Sequence, residues 1–202
     1  MQFVLATRNA KKAEELQRIL AELSLDIQIV TIDQFPDAPE VEETEATFVG
    51  NALLKARALC EFTGLPAIAD DSGLCVAALN GDPGVLSARW SGATENIDQE
   101  NLELVLKQVQ EASTANRDAN FTCAAVAVFP DGTELVALGI MTGTLLDKPA
   151  GQNGFGYDPI FVPTGITKTT AQLLPAEKDE ISHRGKALLD LAKQIAGYIS
   201  KT

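Results

Sequence analysis

Ile68-Ala69-Asp70-Asp71-Ser72-Gly73-Leu74 constrains this chain more than any other stretch, because a short apolar run ends there in two adjacent carboxylates, a hydroxyl and a glycine. The pattern predicts a strand emptying into a site, since ligands in open α/β sheets sit beyond the carboxyl ends of strands. Side chains alternate across a strand, so Asp70 and Asp71 point to opposite faces and do not share one job. One faces a metal or a nucleophilic water, and the other holds the loop. The competing reading is a strand followed by an acidic turn.

The segments before it alternate helix and strand. Gln2 to Ala6 reads as a first strand, and Thr7-Arg8-Asn9 turns into a helix with Ala13, Leu16, Leu20 and Leu23 at helical spacing. Arg8, Lys11 and Lys12 crowd the positive end of that helix, where acidic residues are normally favoured. A bound anion would resolve the conflict through the three cations and free backbone N–H groups; otherwise the long side chains splay into solvent. There is no Gly-x-x-x-x-Gly-Lys loop, so this is not a P-loop. Asp26 to Ile32 suits a second strand, followed by an acidic loop holding Pro36, Pro39, Glu40, Glu42, Glu43 and Glu45. Either the loop is simply solvated, or Glu42 or Glu43 completes a Mg²⁺ site with the aspartate pair. Thr44 is expected to cap the next helix, whose apolar face runs Phe48, Ala52, Leu53, Ala56, Leu59 and Cys60 before Gly64 and Pro66 end it. Gly50 lies inside it at a cost of about 1 kcal/mol relative to Ala.

Beyond the acidic motif, Val76 to Leu79 leads into a loop from Asn80 to Trp90, in which Arg89 reaches either a phosphate or a surface acid and Trp90 reads as core or dimer contact. Leu102, Val105, Leu106 and Val109 mark a helix of roughly Asp98 to Glu111 with Asp98 as its cap. Asn120 to Phe129 and Glu134 to Met141 are strands of a hairpin turning at Pro130-Asp131-Gly132. Their β-rich character predicts a second lobe of antiparallel strands, with a ligand cleft between the lobes. In Gly151-Gln152-Asn153-Gly154-Phe155-Gly156-Tyr157-Asp158-Pro159, glycines flank Phe155, so either a flat ligand lies on its ring or Phe155 and Tyr157 are core residues of a turn. The final helix packs Leu188, Leu191, Ala192, Ile195 and Ile199, and it too begins with cations, His183, Arg184 and Lys186, with Lys178 upstream.

A net charge of -12 argues against a nucleic-acid or anionic-membrane binder, which needs a basic face. No apolar run approaches the roughly 20 residues of a membrane span, and the opening is too short for a signal sequence, so a soluble cytoplasmic protein is expected. Cys60, Cys75 and Cys123 are odd in number and set in apolar surroundings, as reduced packing residues are.

Two cationic helix starts, acids suited to Mg²⁺ and an aromatic freed by glycines describe a nucleoside triphosphate site. Ala6-Thr7-Arg8-Asn9-Ala10-Lys11-Lys12, Glu42-Glu43-Thr44 with Thr47-Phe48 and Asn51-Ala52, Ala69 to Leu74, Pro83-Gly84 with Ser87-Ala88-Arg89, Gly154 to Pro159, and Ser182-His183-Arg184 resemble, in order and spacing, the inosine/xanthosine triphosphate pyrophosphatases. The resemblance covers nearly the whole chain as a single domain, 1–202. It implies a two-lobed α/β fold with a mixed β-sheet, flanking helices and a nucleotide-binding cleft between the lobes, usually as a homodimer. The implied activity is Mg²⁺-dependent hydrolysis of ITP, dITP and XTP to the monophosphate and pyrophosphate, which clears them from the nucleotide pool. Carried over by motif, Thr7, Arg8, Asn9, Lys11 and Lys12 grip the phosphates, Asp71 is the general base, and Glu43 with Asp71 holds the metal. Ser72 contacts substrate, Phe155 with Gly156 and Tyr157 takes the purine, and Asp158, Lys178, His183 and Arg184 surround its edge. An ionised Asp71 beside the metal implies activity at neutral to alkaline pH. Two positions depart from the family's pattern: Gly50, where Glu is common, and Lys11, where Gly is frequent. The alternatives are a pyrophosphatase for other modified nucleotides, or a nucleotide-binding regulator without hydrolysis.

Overall fold

The computed structural model describes residues 1–22, 27–112 and 114–201. Its elements run β1 (Gln2–Leu5), α1 (Ala10–Glu22), β2 (Gln28–Thr31), α2 (Phe48–Thr63), β3 (Ala67–Val76), α3 (Ile97–Glu111), β4 (Asp118–Val128), β5 (Glu134–Leu145), β6 (Phe161–Pro163), α4 (Pro175–Ile181) and α5 (His183–Ile199). The strands form one mixed sheet in the order β2-β1-β3-β4-β5-β6. β1 is parallel to both β2 and β3, with Val4 opposite Ala67 and Leu5 opposite Ile68. Central parallel strands are covered on both faces and read as unbroken apolar runs, as Phe3, Val4 and Leu5 do.

The chain divides into two compact units. The first comprises Met1–Asp71, Cys123–Gly139 and Arg184–Thr202, and the second Ser72–Thr122 and Ile140–His183. In the first unit, strand alternation sorts the core into two layers. Phe3, Leu5, Ile68, Cys123 and Ala125 meet Leu16 of α1 and Leu188, Leu191 and Ile195 of α5. Val4, Ala67, Ala69, Ala124 and Val126 meet Ala52, Ala56 and Leu59 of α2 on the other face. In the second unit, Leu74, Val76, Phe121, Met141 and Leu145 pack on Leu102, Val105, Leu106 and Val109 of α3.

Several expectations change. β3 does not end at its acids but runs 10 residues through Asp70, Asp71 and Ser72. Partners on the faces of the strand, rather than a turn, accommodate the polar side chains. The hairpin is present, turning where the Phe129 amide donates to the Thr133 carbonyl, but its tip belongs to the first unit, so it does not make the second lobe by itself. The second unit also holds α3, β6 and α4. Thr47, not Thr44, caps α2: its Oγ1 accepts the Gly50 amide at 3.0 Å. Gly50 therefore stands in the first turn rather than the interior, where a Cβ would lie 2.7 Å from Cβ of Glu45. α3 starts after Asn96, in the left-handed region at φ 48°, with Asp98 already in its first turn. The expected helical contact of Leu23 and the start of the second strand at Asp26 lie outside the described residues.

The cap assignment is checked by urea denaturation. Thr47→Ala should lower stability by about 1 kcal/mol, and Thr44→Ala should leave it unchanged; equal losses would contradict the assignment.

Candidate active site

The turn after β1 is built around its own cap. Asn9 Oδ1 accepts the Lys12 amide at 3.1 Å, and Thr7 Oγ1 accepts the Asn9 amide at 3.3 Å. The cations that crowd this helix start are partly answered within the protein: Arg8 Nη2 donates to the Ala38 carbonyl at 2.8 Å, and Lys12 Nζ lies 3.3 Å from Asp70 Oδ2. Arg8, Asn9 and Lys11 are exposed.

Asp70 follows Ile68 by two positions and so shares its face, the one covered by α1 and α5. Only 2 % of it is exposed, and Arg184 Nε donates to its Oδ2 at 3.3 Å. Arg184, also 2 % exposed, is paired through Nη1 with Glu15 of α1. Burial pushes the Asp70 carboxyl up, but Lys12, Arg184 and Lys55 together overcome it and hold the group well below the usual carboxylate range. Burial likewise opposes the charge on Arg184, and Glu15 and Asp70 outweigh it, raising the guanidinium above its ordinary value. Asp70 is thus a fixed anion.

Asp71 shares the face of Ala69, which α2 covers. Asn51 Nδ2 donates to its Oδ2 at 3.2 Å, while the same side chain accepts the Glu45 amide and donates to the Glu45 carbonyl. Lys55, one turn along α2, places Nζ 2.7 Å from Glu43 Oε1 and 3.8 Å from Asp71 Oδ1. Burial, offset only in part by Lys55 and Lys12 and reinforced by Glu43, leaves the Asp71 carboxyl raised. Neighbouring carboxylates explain why the Lys55 ammonium, despite burial, is also raised. The two strand acids are therefore held in opposite electrostatic conditions.

Glu43 and Asp71 converge on one cationic group, which is what a divalent ion would require of them. No group of three or more His, Cys, Asp or Glu able to hold a metal occurs among the described residues. Two hard oxygen ligands suit Mg²⁺, which takes one or two carboxylates and completes its shell with water and phosphate oxygens. The donor set fits.

The second unit holds the glycine-rich loop and its supports. Phe155 is half-buried, and Lys178 Nζ stands 5.2 Å from its ring centroid. Asp158, 2 % exposed, accepts the Phe155 amide at 2.9 Å and Lys178 Nζ at 2.7 Å through Oδ2. Gly154 has φ 74°, and a Cβ there would come within 2.1 Å of that Oδ2. His183, 4 % exposed, stacks on Phe121 at 4.8 Å and 11°. Tyr157 departs from the expected substrate contact: its ring is 5 % exposed in the core and its hydroxyl donates to the Ser87 carbonyl at 2.8 Å. Trp90 sits at the core margin, donating Nε1 to Gln108 Oε1. Ser72 is half-buried in β3.

Glu15 and Lys55 have no place in the sequence reading, and Asn51 enters it only within the motif Asn51-Ala52, with no role of its own. Asn51 and Lys55 carried a signal, being polar residues spaced i, i+4 on a helix otherwise apolar along that side.

The chain matches the Ham1 family over residues 3–194. It is 55% identical over 188 residues to a dITP/XTP pyrophosphatase of Streptomyces avermitilis, covering 93% of this chain and 94% of that one. A HAM1 protein structure from Coxiella burnetii superposes with a TM-score of 0.89 at 41% identity, covering 98% and 99% of the two chains. The crystal structure of a nucleoside-triphosphatase / dITP/XTP pyrophosphatase from Mycobacterium abscessus gives 0.77 at 49% identity, with 95% and 98% covered.

Asp70→Asn should destabilise the protein by about 3 kcal/mol at neutral pH, because it leaves buried cations undercompensated. A depressed folded-state pKa gives stability that is present above the unfolded carboxyl value and lost as pH falls through the folded one. The difference between variant and parent should therefore shrink below pH about 4. Denaturation curves at neutral and acid pH check this, and a pH-independent difference would contradict it.

Proposed function

The chain belongs to the Ham1 family, and on that premise we propose that it hydrolyses non-standard purine nucleoside triphosphates, dITP, XTP and ITP, to the monophosphate and pyrophosphate. The observation that carries the chemistry is the division of the β3 acids: Asp70 is clamped by Lys12 and Arg184, while Asp71 is raised and stands with Glu43 beside Lys55. Asp71 takes a proton from the water that attacks the α-phosphorus. A new P–O bond forms as the bond to the α,β-bridging oxygen breaks, and pyrophosphate leaves with that electron pair. Glu43 and Asp71 would hold Mg²⁺, which supplies neutralisation of the phosphate charge and a lowered pKa for the attacking water. Arg8, Lys11 and Lys12, with the helix start capped by Asn9 and the hydroxyl of Thr7, take the phosphates. Ser72 contacts the substrate within the same strand as the acids.

The purine stacks on Phe155, an interaction worth about 1–3 kcal/mol per base. Lys178, 5.2 Å from that ring, and His183 supply the donors to its edge, while the Arg184 guanidinium is engaged by Asp70 and Glu15. A 6-keto purine offers an acceptor to such donors, whereas the 6-amino group of adenine sets donor against donor and is rejected. We further assign the protein to the cytoplasm as a homodimer, in keeping with its family resemblance. No helix among the described residues is long and apolar enough to cross a membrane.

With Mg²⁺ present, ITP, XTP and dITP should be converted to monophosphate and pyrophosphate while GTP, ATP and dTTP remain nearly untouched, as resolved by chromatography of the products. Orthophosphate in place of pyrophosphate would contradict the bond assignment. Tight binding without turnover would favour a regulator, and faster turnover of other modified nucleotides would shift the substrate.

A further inference from the structure

Resting on the purine reading above, we infer that Thr170 is a positioning residue for base recognition, acting through Asp158 on Phe155 and Lys178. Thr170 is fully buried, and its Oγ1 lies 2.8 Å from Asp158 Oδ1 and 3.1 Å from the Asp158 carbonyl. The hydroxyl therefore faces the oxygen of Asp158 that does not meet the loop. The other oxygen, Oδ2, accepts both the Phe155 amide and Lys178 Nζ. A carboxylate rotates about one bond, so a donor on Oδ1 sets where Oδ2 points. Fixing Oδ2 fixes the backbone of Phe155 and the ammonium 5.2 Å from its ring.

The segment carrying Thr170 is itself secured to the loop. Thr169 Oγ1 donates to the Ala150 carbonyl at 2.6 Å, and the amides of Gln152 and Asn153 both donate to the Ala171 carbonyl. The short 3₁₀ turn Thr170–Gln172 is closed by Gln172 Oε1, which accepts the Thr169 amide at 2.9 Å. Thr170 thus brings a rigid reference point to a loop whose glycines would otherwise leave it free to shift. Its hydroxyl is fully buried against Asp158, so its effect passes through that residue.

The test is calorimetric binding of IMP and, separately, of inorganic pyrophosphate to the parent protein and to Thr170→Val, Thr170→Ala and Thr170→Ser. Thr170→Val and Thr170→Ala should weaken IMP binding about tenfold, the factor for one net hydrogen bond to a charged group. Thr170→Ser, which keeps the hydroxyl, should restore it, and pyrophosphate affinity should be unchanged throughout. Thr170→Ala serves if the valine methyl prevents folding. Unchanged IMP affinity, or equal weakening of IMP and pyrophosphate, would overturn the inference, as would a parent protein that does not bind IMP. A parent that binds IMP yet does not hydrolyse ITP would overturn the hydrolase reading alone, and the IMP comparison would still decide the role of Thr170.

Discussion

The buried carboxylate of Asp70 is the constraint on which the first unit depends. A charge removed from water is tolerated only when it is paired, and breaking such a pair is costly. Here the compensation comes from Lys12 at the start of α1 and Arg184 at the start of α5, with Glu15 balancing the guanidinium. Electrostatics therefore fixes α1, β3 and α5 in mutual register, over and above the contacts of Leu16, Ile68, Leu188 and Leu191. Because strand side chains alternate, fixing Asp70 on one face delivers Asp71 to the other, against α2. There burial and Glu43 raise its carboxyl, giving two adjacent acids opposite protonation tendencies.

The second unit repeats this logic on a smaller scale. Asp158 is a buried carboxylate paired with Lys178, and the residue it braces, Phe155, is the one left partly uncovered. Gly154 is required because any side chain would occupy the space of the Asp158 carboxylate. In both units a buried, charge-paired acid, not the group assigned to chemistry or stacking, holds the geometry. Catalytic and binding residues then need only point outward from a frame that is already rigid.

Alternation in the stretch Ile68 to Leu74 was enough to foresee that the two acids have different partners. The continuation of β3 past them was not foreseeable, because consecutive acids followed by Gly73 are poor strand formers whose place is decided by tertiary partners. Those partners, Lys12 and Arg184, are distant in sequence from Asp70. Glu15 reads as part of the charged face of a surface helix until Arg184 arrives from the other end of the chain. Thr44 and Thr47 are both competent caps, and only the start of α2 at Phe48 selects between them. The glycines around Phe155 were legible as a loop, but the inward turn of Tyr157 depended on a carbonyl, that of Ser87, which carries no sequence signal.

The division of labour along β3 is tested most directly by Asp71→Asn, measured for thermal stability and for pyrophosphate release from ITP in Mg²⁺. Asp71 lies outside the clamp on Asp70, so the account predicts a melting temperature close to that of the parent and a fall in turnover of about 100-fold or more, the scale of a lost general base. Unchanged pyrophosphate release would contradict the account.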